Sequence, residues 1–95
     1  MPRDAIDMTL TPSERSLLLR YGYPFARIEA ALQACSTSRE IEVVPMDCFE
    51  LKRLIGDLCI SINDMQPGRL QNQLFKLCDR LEAADRYGDG ELDML

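Results

Sequence analysis

The chain has no histidine and no tryptophan among its 95 residues. Without an imidazole, general acid–base chemistry would fall to carboxylates, lysine, tyrosine or cysteine. The two lysines, Lys52 and Lys76, fall on polar helix faces, and no cysteine has a neighbouring base in sequence to activate it. A glycine-rich phosphate loop is also missing. Neither a catalytic centre nor a bound cofactor is therefore expected.

Long apolar runs are missing too. No stretch reaches the ~18 consecutive apolar residues of a membrane span, and the opening MPRDAIDMTL has no apolar core of the kind a secretory signal carries. This leads to the expectation of a cytoplasmic protein with no membrane partner. The four cysteines (Cys35, Cys48, Cys59, Cys78) form no C-x-x-C pair. In a reducing compartment they read as small buried apolar groups rather than metal ligands or disulfides.

A basic excess is absent as well. The net charge is −5, and residues 82–95 carry five acids (Glu82, Asp85, Asp89, Glu91, Asp93) against one base, Arg86. The remainder is close to neutral. Such a field opposes nucleic acid and favours a partner with a basic surface. Residues 88–95 are read as an acidic tail, and residues 1–9, which lack periodicity, as flexible.

What is present is a set of helix signals. Thr11-Pro12-Ser13-Glu14 combines an N-cap, a proline at the first helical position and a capping-box glutamate. The helix it opens runs over 12–20, with Gly22 as the left-handed residue that ends it. A second helix over 24–35 carries Phe25, Ile28, Leu32 and Cys35 on one stripe. Asp47 and Glu50 form another capping box, ahead of a third helix over 47–65 with Cys48, Leu51, Ile55, Leu58, Ile62 and Met65 in heptad-like register. After the Gln66-Pro67-Gly68 turn, Leu70, Leu74, Leu77, Leu81 and Ala84 repeat the rhythm over 68–87. Two matched stripes joined by a short turn predict an antiparallel helical hairpin. Phe75 and Cys78 widen the last stripe, as they would if it also packed on the first two helices.

Residues 40–44 are the one strand-like segment, closed by Pro45. A lone strand is not stable, so it is either a connector laid over the helices or an edge that pairs with something, a second copy included. The expected fold is thus a single all-α domain: a four-helix array with a C-terminal antiparallel hairpin and one short extended segment near 40–44.

Two familiar patterns fall short. Residues 85–93 resemble a calcium-binding loop, but Tyr87 occupies the third ligand position and no glutamate follows at the twelfth. Residues 12–35 have the length of a helix-turn-helix, with Arg15, Arg20 and Arg27 as phosphate contacts, yet the second helix presents Glu29 and the pI is about 4.6.

Three surfaces remain. Gly56 lies inside the third helix, where glycine costs about 1 kcal/mol against alanine. It shares a face with Lys52, Ile60 and Asn63, opposite the apolar seam. That face either packs on the first helices or the 41–44 segment, or it receives a partner. Tyr21 and Tyr23 flank a turn and either anchor a partner or staple the turn to the hairpin. Asp89, Glu91 and Asp93 supply the acidic end. The resulting expectation is a small, non-enzymatic regulatory or adaptor protein, antitoxin-, immunity- or inhibitor-like, that binds another protein. A second copy of the chain is a further possible partner, and the alternative function is a helix-turn-helix DNA-binding regulator acting as a dimer.

Overall fold

A computed structural model describes residues 6–87. The order is β1 (Ile6–Leu10), α1 (Pro12–Tyr21), α2 (Ala26–Ala34), β2 (Glu42–Met46), α3 (Cys48–Asp64) and α4 (Arg69–Tyr87). Both capping boxes form. Thr11 Oγ1 accepts from the Glu14 N–H while Glu14 accepts from the Thr11 N–H, and Asp47 and Glu50 repeat the exchange.

The N-terminal segment departs from expectation. Residues 6–10 are not a flexible lead-in but a strand, antiparallel to β2, with Met8 opposite Val44 and Thr9 opposite Val43. The 40–44 segment therefore finds its partner inside the chain, two residues later than expected, and a second copy is not needed to pair it. Pro45 does not close the strand; it sits within it, facing Asp7. Proline has no N–H to give, so that pair must be of the non-hydrogen-bonded kind, with its backbone groups pointing outward. By the alternation of an antiparallel ladder, Thr9 and Val43 point outward as well. Arginines meet these outward carbonyls: Arg80 donates to Thr9 O and Arg27 to Pro45 O. Both edges of the small sheet are thereby partly covered against further pairing.

Inward-facing Ile6, Met8, Leu10, Val44 and Met46 place the sheet on a core shared with Leu18 of α1 and with Ile28 and Leu32 of α2. Leu51, Leu54, Leu58 and Ile62 of α3 complete it from one side, and Leu74, Leu77, Leu81 and Ala84 of α4 from the other. Helices α3 and α4 are each other's principal neighbours. They run antiparallel, since Lys52 meets Asp85, Cys59 meets Cys78, and Gln71 donates to Ile62 O. Phe75 departs from expectation: it stays exposed, because α4 presents that side to solvent rather than to α1 and α2.

Gly22 also plays a different part. Its φ is −97°, and the left-handed residue is Tyr23, at φ 45°. Gly22 is required for proximity instead: a Cβ there would lie 2.8 Å from Leu18 O and 3.1 Å from Leu54 Cδ2. The absence of a side chain lets the α1–α2 turn press against α3.

Candidate protein-docking face

The outward face of α3 is built from residues at helical spacing: Phe49, Lys52, Arg53, Gly56, Ile60 and Asn63. Gly56 is at its centre, on the side of the helix furthest from buried Leu54 and Leu58. A Cβ built on Gly56 would find no atom within 4 Å. Of the two readings of this face, packing on the first helices or on residues 41–44 is therefore ruled out for Gly56: no part of the described chain covers it. Phe49 is 70% exposed and Ile60 is 63% exposed, one on either side of it along the helix.

The α1–α2 turn borders this face on one flank. Ser61 Oγ donates to Tyr21 O at 3.0 Å, Phe25 stacks on Phe49 at 5.5 Å between ring centroids, and the Arg53 guanidinium lies 4.9 Å from the Phe25 ring centre. Phe49 stacks on Phe25, whose ring the Arg53 cation also covers, while most of the Phe49 surface is left to solvent. The two tyrosines divide: Tyr21 packs against the core, as a staple, and Tyr23 projects with 69% of its surface exposed. A non-glycine residue in the left-handed region costs on the order of 1 kcal/mol. Tyr23 is thus held outward at some expense.

On the other flank, α3 and α4 enclose a groove of about 260 Å³. Cys59, Ile62 and Cys78 line it from the seam, Phe75 and Asn63 stand at one end, and Asp79 and Glu82 form an acidic rim. Pockets that enclose small molecules are typically ~300–1,000 Å³. This groove is smaller and half open, a size suited to one or two side chains of a partner. Toward the N-terminus of α3, Lys52 pairs with Asp85 at 2.7 Å, which raises the lysine pKa through that hydrogen bond and charge, and Arg53 pairs with Asp57.

Two of the three surfaces expected from sequence thus lie side by side: the 21–23 turn and the Lys52–Gly56–Ile60 face. The third lies outside the described residues, since Asp89, Glu91 and Asp93 fall beyond residue 87. Asp85, the first position of the calcium-like pattern, is engaged by Lys52 and by the Cys48 thiol. Among the described residues there is no cluster of three or more potential metal ligands. No described helix is long and apolar enough to cross a membrane.

No family model, curated protein or solved structure matched the chain.

The arginines named as phosphate contacts for a helix-turn-helix are mostly committed elsewhere. Arg15 is buried and donates to the carbonyls of Leu10, Glu40 and Ser38 at 2.8–2.9 Å. Arg27 is bound by Glu50 and Pro45 O. Only Arg20 keeps an exposed side chain with no internal role given to it by these contacts.

Sequence reasoning missed Phe49, Phe25 and Arg53 as a unit, because their contacts join α2 to α3 across the chain. It also missed the acidic rim: Glu82 counts there only among the acids of residues 82–95, and Asp79 is not singled out. One signal was available for Phe49: it falls seven residues before Gly56, two helical turns along the same face.

Proposed function

We propose that the chain is a small non-catalytic adaptor or inhibitor that docks another protein on the outer face of α3 and the adjoining α3–α4 groove. The observation that carries this reading is Gly56: a helix-interior glycine that nothing among the described residues covers, flanked by two large exposed apolar side chains. A glycine at that place costs stability and gives the isolated fold nothing in return. What it does offer is close backbone approach to an incoming helix. Phe49 and Ile60 supply apolar area on either side, and the aromatic pair with Arg53 has the composition of an interface anchor.

Asp79 and Glu82 favour a partner segment that places a basic residue over the groove and an apolar one into it. The acids of residues 88–95 extend the same preference, so removal of those residues lowers affinity and flattens its dependence on salt.

The test uses capture from the native cell followed by mass spectrometry, comparing wild type, Gly56→Leu, Ile60→Glu and, as a control, Arg39→Ala at an exposed position between α2 and β2. Circular dichroism checks that each variant folds. A protein retained by wild type and the control, but lost with both face variants, supports the reading. If a reproducible partner survives both Gly56→Leu and Ile60→Glu, docking on this face is refuted.

A further inference from the structure

The floor of the groove holds two thiols in reach of each other. Cys59 Sγ and Cys78 Sγ are 3.9 Å apart, on facing positions of antiparallel α3 and α4. A disulfide needs ~2.05 Å between the sulfurs, so they must close by about 2 Å. The two residues are unequal in a way that permits this. Cys59 is exposed, with room to turn about its Cα–Cβ bond, whereas Cys78 is buried and held by the seam. The other two cysteines are placed differently. The Cys35 thiol donates to carbonyls of its own helix, at Ala31 and Leu32, and Cys48 contacts the Asp85 carboxylate.

We propose that Cys59 and Cys78 form a reversible dithiol–disulfide site, oxidised by exchange with a small external disulfide. The Cys59 thiolate attacks one sulfur of that disulfide, forming a mixed disulfide and releasing one external thiolate. Cys78 then gives its proton to solvent and its sulfur attacks Cys59 Sγ, expelling the second external thiolate. Two protein thiols become one disulfide, and the external disulfide is reduced to two thiols.

The order of events follows from the surroundings. Burial, the adjacent Cys59 and the acids Glu82 and Asp79 push the Cys78 thiol up to about 12. Cys78 therefore stays protonated at neutral pH, and the exposed Cys59 takes the first step. The closing step is the slow one and quickens as pH rises. The acidic rim also disfavours anionic disulfides, so an uncharged one reacts better.

The bond would tie α3 to α4 at mid-helix and close a loop through the 65–68 turn. Because both sulfurs line the groove, it also changes the floor that receives a partner's side chain; this last consequence rests on the docking reading above.

The experiment exposes the reduced full-length protein to bis(2-hydroxyethyl) disulfide, an uncharged linear disulfide, under folding conditions. Expected results are a loss of two hydrogens by mass, a cross-linked peptide joining Cys59 to Cys78, and a melting temperature raised by about 5 °C or more. Cys59→Ser and Cys78→Ala each abolish the product, while the Cys35→Ser/Cys48→Ser double variant retains it. If Cys78→Ala fails to fold, the wild-type peptide map and Cys59→Ser carry the comparison. A stable mixed adduct on Cys59, a dimer linked through Cys59, or no reaction at pH 8–9 overturns the proposal. Partner capture, scored separately with Gly56→Leu, does not depend on the disulfide, so either idea can fail alone.

Discussion

Glycine inside a helix gives up stability because its unfolded backbone has more freedom to lose. At Gly56 the loss is uncompensated among the described residues, since none of their atoms would meet an added Cβ. Gly56→Ala is accordingly expected to stabilise the isolated protein by about 0.5–1 kcal/mol in urea denaturation while weakening partner capture. A destabilised Gly56→Ala would mean that the glycine serves the fold. Cys78 makes a second prediction at this scale. Its thiol is held at about 12 against an ordinary 9.0, chiefly by burial and then by Cys59. In the unfolded chain the proton leaves near pH 9, whereas the folded chain keeps it. The contribution is therefore whole below pH 9 and is lost as pH climbs toward 12. Melting temperature should fall across that window in wild type, and less steeply in Cys78→Ala.

Helix starts were the most legible elements, because a capping box is an exchange between residues three apart. Thr11 with Glu14 and Asp47 with Glu50 form as their spacing implies. Asp47→Ala should lower stability by about 1 kcal/mol, read by chemical denaturation. Glu50 shows where local reading stops. It completes the cap of α3 and also binds Arg27 of α2, 23 residues away, which no short pattern reveals. Strand β1 was missed for a related reason. Ile6, Met8 and Leu10 do alternate with Asp7 and Thr9, but five residues of alternation are a weak signal until a partner strand is known. The α3 stripe was read through Ile55, whereas Leu54 is the more deeply buried of the two. Closeness to the α1–α2 turn, allowed by Gly22, rotates the buried side that way.

Across the whole molecule, arginines join elements that sequence kept apart. Arg15 reaches from α1 to Leu10 at the end of β1 and to Ser38 and Glu40 ahead of β2. Arg80 reaches from α4 to Glu14 of α1 and Thr9 of β1. Removing Arg15 strands three carbonyls and should cost about 3 kcal/mol or more in Arg15→Ala. Arg15→Lys should recover only part, because a single ammonium cannot reproduce the planar fork. Equal stability of the lysine variant in thermal denaturation would contradict this role.

The sequence by itself determined the four helices, the two capping boxes, the turn at 66–68 and most of the apolar stripes of the hairpin. Those features arise from spacings of three or four residues along one chain segment, where backbone geometry alone decides which side chains meet. It also marked Lys52, Gly56, Ile60 and Tyr23 as surfaces worth weighing. Only the tertiary structure decided that the Gly56 face is uncovered, that Tyr21 is packed while Tyr23 is not, and that residues 6–10 pair with 42–46. It alone brought Phe25 onto Phe49 and Cys59 beside Cys78. These outcomes depend on which distant segments share the core. Residues on opposite faces of a helix look alike in sequence until the core has claimed one of them.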